Sequence, residues 1–563
     1  MKNLLKLSNL TVGFLLLTTT CFAAMSASIT FEFRSTGTAN MVNGGGFKTG
    51  ASGTDYSTQD AAQFVPTDLA NLSASTTLTS ATGGFTAAMV GNVIHITAGT
   101  NFVTGWYEIT VYTDTNTVTL DRTANATLNA SAGTGYVGGA LNVGGSLEDN
   151  FFEEISGANA ADGITVYFYN NASTSTVTFT PSEVITIAGA GGTQAPIKII
   201  GYKTTRGDNP TGTSRPTIAL GSNAWTLGDN LELYNLIGTG TATGMITTGT
   251  STKIINCKFI NSSTTVDRNS ISIASNIGNF IFNSEIINYR GKCINTTTGG
   301  SNIIGCYLHD SDIGIKLATT SGATQIVDNI IESNVTIAIL STGAATGNFV
   351  IFGNTLYGSE QKTGTGISLA TGTTNTRILN NIIYGFATGV SHADTQTVGY
   401  DDYNDYYNNT NDVSAAGQWQ KGSNDQALDP TFTSVAQVTG TTATYAGSTL
   451  TDAAASFANV VDNQDFVLIV SGTGLTTANC QYLITSHTTT TVTTSQDAGE
   501  SSASNWVYQV TTGRNFAIGT NLKAKGFPGA FQAGLTTGYT DIGGVQRQEA
   551  GAGGGRGARF INN

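Results

Sequence analysis

Charge is what this 563-residue chain lacks most: 24 Lys and Arg with 37 Asp and Glu make up only 11% of it, where a soluble globular chain carries about 25%. The balance is acidic, with a net charge of −13. So few cations cannot neutralise a series of phosphates, which argues against broad nucleic-acid binding. Proline is rare, at 7 residues, and the 69 glycines follow no three-residue period, so a collagen-like chain is excluded. The five cysteines (Cys21, Cys257, Cys293, Cys306 and Cys480) are too widely spaced for a CxxC metal site or a dense disulfide framework. They read as buried small residues. Beyond the N-terminus there is no unbroken apolar run of the roughly 18 residues that a spanning helix needs.

Small uncharged residues fill the space: Gly, Thr, Ser, Ala and Asn, beside a 39% apolar fraction rich in Ile, Val, Phe and Tyr. That apolar content argues against wholesale disorder, and the length suits roughly two to four domains.

The N-terminus carries Lys2 and Lys6, the apolar run Val12 to Leu17, and small residues at Cys21-Phe22-Ala23-Ala24. Residues 1–24 therefore read as a secretory signal peptide, or as an extension upstream of a true start at Met25. Thr18-Thr19-Thr20 before Cys21 fits a lipoprotein signal poorly.

Between about residues 230 and 405 a short phrase recurs, with apolar residues alternating around a small polar one, as in Ile304-Gly305-Cys306-Tyr307-Leu308 and Phe352-Gly353-Asn354-Thr355-Leu356. The central residues are Asn235, Cys257, Ser284, Cys306, Asn329, Asn354, Asn381 and Asn404, spaced 22 to 27 residues apart. This is a solenoid period. Leucine-rich repeats share it, but they need a dense leucine framework and a helical segment. Here Ile, Val, Phe and Tyr alternate with period two between turns of Gly, Thr, Ser and Asn. The pattern predicts a parallel β-helix with one coil per repeat, about 4.8 Å apart. The central residues would form a structural ladder, each Asn bonding to a turn and to the Asn above and below it. Further coils are expected upstream, at Ile164–Phe168, Thr176–Phe179, Val184–Ile187 and Ile197–Tyr202.

A second internal similarity brackets the first. Leu78 and Phe85 match Leu450 and Phe457; Tyr107, Ile109 and Val118 match Tyr482, Ile484 and Val492 at slightly larger offsets. Two small all-β modules of one design are predicted. The expected organisation is 1–24 signal or extension, 25–145 N-terminal β module, 146–430 β-helix, 431–548 C-terminal β module and 549–563 flexible Gly-rich tail.

The Asn-rich coils, over roughly residues 145–430, resemble the right-handed parallel β-helix, pectate-lyase-like superfamily. Asn43-Gly44-Gly45-Gly46-Phe47, Gly50 to Ser57, Gln59-Asp60-Ala61-Ala62 and Asp541 to Gln546 resemble segments of β-helix proteins from bacteriophages and environmental viral genomes. The superfamily resemblance implies an all-β, right-handed, single-stranded β-helix. That superfamily holds polysaccharide lyases, pectin-type hydrolases, tailspike depolymerases and non-catalytic adhesins, so it leaves activity open. The catalytic patterns of polygalacturonases and of calcium-dependent lyases are missing. A homotrimer, a polysaccharide partner and a virion or extracellular location are what the resemblance implies.

Two acidic clusters are the candidate chemistry. Asp310 and Asp312, in His309-Asp310-Ser311-Asp312, could face one way from an extended segment and act as an acid/base pair. Asp401, Asp402 and Asp405, in the Tyr- and Asn-rich run 401–409, could hold Ca²⁺, or Asp402 and Asp405 could serve catalysis. No other cofactor is expected. Arg268, Arg290, Lys292, Lys316 and Arg377 are the cations that coil stacking could bring near these acids. Taken together, the expectation is a non-enzymatic structural or adhesive protein, a virion fibre or spike component contacting host glycans. The alternatives are a polysaccharide lyase or glycoside hydrolase, and a secreted bacterial surface protein.

Overall fold

The computed structural model describes Met25 and residues 28–544, apart from short internal stretches such as 157–162, 343–348 and 527–541. The proposed signal at 1–24 and the Gly-rich tail at 549–563 lie outside the described residues.

Each repeat spends its alternating apolar residues on three short strands. In one coil Leu231–Tyr234 joins a first sheet, Ile237–Gly240 a second and Gly244–Thr248 a third, before Lys253–Ile255 returns to the first. The first sheet has 12 strands and the others ten each. All pairings between coils are parallel, which makes the body of the molecule a parallel β-helix. Ten strands about 4.8 Å apart span about 43 Å. Inward residues stack in register, as in the column Ile199, Leu233, Ile254, Ile281, Ile303, Ile326, Ile351 and Ile378, and all of them are buried in one continuous core. The four expected upstream segments are strands, but Thr165–Tyr169, Thr178–Phe179 and Ile185–Gly189 form three sides of one coil, and Ile197–Tyr202 opens the next. A single β-helix coil needs three strands, which is why these segments are not four separate coils.

The turn between the first and second sheets explains the ladder. One residue per coil is left-handed: Asn235, Asn256, Asn283, Gly305, Asp328, Gly353, Asn380 and Tyr403, with φ between 48° and 67°. Asn, Asp and Gly tolerate this conformation best. The next residue points inward, and the column reads Leu236, Cys257, Ser284, Cys306, Asn329, Asn354, Asn381, Asn404. Asn235 is therefore corrected: Tyr234 pairs with Ile255, so Asn235 aligns with Asn256 in the left-handed position and Leu236 is the inward residue. In the last coils the ladder is a chain of hydrogen bonds. The amides of Cys306, Asn329, Asn354 and Asn381 donate to Oδ1 of Asn329, Asn354, Asn381 and Asn404 at 2.9, 3.0, 2.9 and 2.9 Å. Asp425 ends it by accepting from the amide of Asn404 at 2.7 Å. Cys257, Cys293 and Cys306 are unpaired and buried, and burial pushes their thiols up to about 11, 12 and 12.

Two closed six-stranded barrels flank the β-helix and share one strand order. The first runs from Leu69–Asn71 to Ala130–Val137, the second from Thr433–Ala446 to Ala503–Asn515. Leu78, Phe85, Tyr107, Ile109 and Val118 form the first core, and Leu450, Phe457, Tyr482, Ile484 and Val492 the second. The segment expected as one N-terminal module divides, because Ile29–Thr38 pairs in parallel with Thr165–Tyr169 and belongs to the β-helix. The first barrel is thus inserted between two neighbouring strands of one sheet. After it, the short helix Glu148–Glu154 packs Phe151 and Phe152 against Phe31, Phe33 and Trp225 at the start of the β-helix. The second barrel and the chain beyond it fold back over the second sheet. Phe466 and Leu483 cover Ile260, Ile287 and Tyr289; Phe516 covers Ile330 and Tyr357; Leu522 and Ile542 cover Ile382.

Candidate functional site

With the second sheet covered by the chain's own C-terminal part, two β-helix faces remain. On the first sheet the outward column Tyr234, Ile255, Phe282, Ile304, Val327, Phe352 and Leu379 is apolar and half-buried. On the third sheet the outward column is Thr226, Thr247, Ser272, Asn295, Lys316, Leu340, Ser368 and Ser391. Six of these eight are Thr, Ser or Asn at one coil spacing, with Lys316 and Leu340 between them, so most of this face can hydrogen-bond.

Along the rim between the second and third sheets, Ser222, Thr241, Thr243, Ser262, Ser263, Thr265 and Arg268 line a shallow cleft of about 420 Å³. Beside it successive coils carry a charge cluster. Lys292 Nζ holds Asp267 at 2.7 Å, and this bond together with the charge of Lys316 keeps the exposed Asp267 carboxyl below its ordinary range. Burial raises the half-buried Asp312 carboxyl, against the opposing charges of Arg290 and Lys292. Strand register fixes the spacing: Arg268 opposes Gly291, Asn269 opposes Lys292, and Asn295 opposes Lys316. Gly291 has to be glycine there, because a Cβ would lie 2.1 Å from the Arg268 carbonyl oxygen. Three cations, Arg290, Lys292 and Lys316, thus act on two carboxylates, with Arg268 in the cleft wall one coil away. Arg377 is elsewhere, on the first sheet opposite Val350. Asp267 is the member sequence reading missed; its place before Arg268, one coil from Lys292, was the available signal.

Asp310 and Asp312 have different surroundings. Asp310 takes a left-handed conformation, φ 52°, which turns its side chain toward the second barrel. There it accepts from the Leu483 amide at 3.1 Å and Ser495 Oγ at 2.9 Å, and it meets His309 Nδ1 at 2.7 Å. His309 Nε2 reaches Glu285 at 3.2 Å, and Lys258 Nζ lies 2.9 Å from Glu285. Burial alone would lower His309, but its bonds to Asp310 and Glu285 raise it to about 9. Burial alone would raise Glu285, but Lys258 and His309 hold it well below the carboxylate range. This buried network is a clasp between barrel and β-helix.

The second acidic cluster closes the last coil. Asp401 accepts from Asn404 Nδ2, the Tyr406 hydroxyl and Trp419 Nε1 at 2.6, 2.6 and 2.7 Å. Burial, then the neighbouring Asp425, pushes it up to about 8. Asp402 accepts from the Asn424 amide and side chain and from the Tyr400 hydroxyl, and these bonds outweigh burial to lower it. Asp405 Oδ1 accepts from the Leu428 amide at 2.8 Å, and burial pushes this carboxyl up to about 7. The three carboxylates serve different partners, and among the described residues no three His, Cys, Asp or Glu side chains are grouped to hold a metal.

No family model matches the sequence, and no curated protein matches it. Solved structures similar to this chain include the pectate lyase Pel9A, at 12% identity and a TM-score of 0.36, covering 69% of this chain and 89% of that one. The tailspike gp61 of Pseudomonas phage phi297 has 10% identity and a TM-score of 0.19, with 80% and 81% covered. The Gp54 tailspike of Acinetobacter baumannii bacteriophage AP22, solved with A. baumannii capsular saccharide, has 8% identity and a TM-score of 0.21, with 81% and 83% covered. The class defined by the strand topology is the three-sheet parallel β-helix, carrying two closed barrels. No helix among the described residues is long and apolar enough to cross a membrane.

Proposed function

We propose that this chain is a non-catalytic, glycan-contacting protein of a virion or cell surface, and that it holds an acidic polysaccharide along the third sheet. One observation carries the reading: in a chain of net charge −13, Arg268 lines a cleft walled by hydroxyls, and Arg290, Lys292 and Lys316 fall on the next coils along the third sheet. Hydroxyls and amides suit sugar hydroxyls, while Arg and Lys suit carboxylate or sulfate groups. Charges at a protein surface act over a Debye length of about 8–10 Å, so the contact is salt-sensitive. The apolar column of the first sheet runs parallel to the axis and supports packing against further copies, as in a homotrimer.

A second reading, a polysaccharide lyase, is favoured by Asp312, a half-buried carboxyl raised by burial beside Arg290 and Lys292. Elimination at a uronate needs a base for the α proton and cations for the developing charge. Incubating the full chain with acidic and neutral polysaccharides tests both. Retention of acidic glycans without new unsaturated ends supports the adhesive reading. Unsaturated uronates that disappear in Asp312→Asn establish the lyase, and no retention of any acidic glycan removes both.

A further inference from the structure

Arg215 follows the turn Gly212–Ser214 and precedes the strand Thr217–Gly221. Its side chain is buried, at 1% exposure. Among the described residues no carboxylate lies within ion-pair distance of it. Nε donates to the Gly212 carbonyl at 3.3 Å and Nη1 to the Asn256 carbonyl at 3.1 Å, which uses two of its five donors. The acid that influences it electrostatically, Glu285, is already held by Lys258 at 2.9 Å and His309 at 3.2 Å. A guanidinium withdrawn from water without a counter-charge is costly and calls for one.

The space for that counter-charge is present. Arg215 lines a cavity of about 190 Å³ between the second sheet and the second barrel, with Thr176, Thr217, Thr239, Lys258 and Asp462. Thr176 Oγ1 donates to the Arg215 carbonyl at 2.7 Å and accepts from Thr217 Oγ1 at 3.0 Å, so of these three threonines Thr239 is the one whose hydroxyl can turn to a ligand. Ile237 and Ile260 form an apolar wall. Asp462 belongs to the barrel side, where His487 Nδ1 engages it at 2.7 Å. At about 30 Å³ per water, the volume equals some six waters, which suits one small anionic group and excludes a polysaccharide chain.

We propose that this cavity is a binding site for a single oxyanion, a carboxylate, phosphate or sulfate, held by the free donors of Arg215 with the Thr239 hydroxyl and Lys258 around it. Arginine's planar fork matches such groups two oxygens at a time. The site is separate from the cation cluster on the third sheet and stands or falls independently of it.

The test uses the full chain titrated with phosphate, sulfate and glucuronate against chloride at equal ionic strength, read by calorimetry and by the thermal midpoint. The expected result is saturable one-to-one binding of at least one of them, with a midpoint that rises with ligand concentration. Binding should vanish in Arg215→Met and weaken several-fold in Thr239→Val. Saturation by the inorganic anions assigns the site to a free ion; saturation by glucuronate alone assigns it to an acidic sugar. Should Arg215→Met not fold, a selenate soak of native crystals gives an anomalous peak beside the Arg215 guanidinium if the proposal holds. Responses no larger than chloride's, or saturable binding unchanged in both variants, overturn it.

Discussion

Replacing Asn354 by alanine removes the centre of the Asn ladder. The side chain is fully buried, donates to Asn381 Oδ1 at 2.9 Å and to the Ile326 carbonyl at 2.8 Å, and accepts from the amide and side chain of Asn329 at 3.0 and 2.9 Å. Asn354→Ala leaves the Asn329 amide and the Ile326 carbonyl without these partners and takes one bond from Asn329 Nδ2. At about 1–3 kcal/mol for each orphaned buried group, the cost is about 4 kcal/mol. A solenoid divides stability between neighbouring coils, so the loss should be local. The assay is hydrogen exchange over residues 326–357, where about 4 kcal/mol appears as exchange faster by roughly a thousandfold. Asn235→Gly, which keeps the left-handed turn and gives up the 2.7 Å bond from Asn256 Nδ2, should cost about 1 kcal/mol. Ser368→Ala on the outer face should stay within about 0.5 kcal/mol. A loss at Asn354 no greater than that at Ser368 would refute the ladder as a source of stability.

Asp401 and Asp405 are raised to about 8 and 7 and Asp425 is raised as well, so the folded last coil prefers them protonated. Their contribution is full below about pH 4, where the unfolded carboxyls also hold their protons, and it is lost as pH rises through 7 to 8; the protection factors at residues 399–413, each taken against the unfolded rate at the same pH, should be smaller at pH 9 than at pH 5, and equal protection would contradict this. Asp310→Ala should loosen the second barrel while leaving the β-helix intact, seen as faster proteolysis or exchange in Cys480–His487, and unchanged protection there would remove the clasp. His309, raised to about 9, contributes fully below about pH 6.5 and loses that contribution as pH passes 9, so barrel release should follow the same alkaline direction. Gly291→Ala should force apart the coils carrying Arg268 and Lys292 and weaken acidic-glycan binding at least several-fold; undiminished affinity would show that this spacing is irrelevant.

The β-helix was legible because its determinants are local. Period-two alternation and one turn residue per coil lie within a few positions of each other, and the duplicated Leu, Phe, Tyr, Ile and Val positions exposed the paired barrels. The ladder phase slipped at Asn235 because the Asn preference of a left-handed turn and that of an inward ladder fall on adjacent residues, and only the strand register separates them. The pairing of Ile29–Thr38 with Thr165–Tyr169 was hidden by the whole barrel inserted between them. Asp310 read as a candidate acid because nothing near it in sequence announces Leu483 and Ser495. Arg268, Arg290, Lys292 and Lys316 were visible as scattered cations; coil stacking, with Asp267, makes them a cluster.

On the proposed reading, this cluster binds an acidic glycan. Calorimetric titration of the native chain and of an Arg268→Ala, Lys316→Ala double variant with one uronate-containing polysaccharide, at low and at physiological salt, addresses it most directly. The native chain should bind the polysaccharide, more weakly as salt rises, and the variant should bind at least tenfold more weakly. Equal affinity in both proteins, or preference for a neutral polysaccharide, would contradict it.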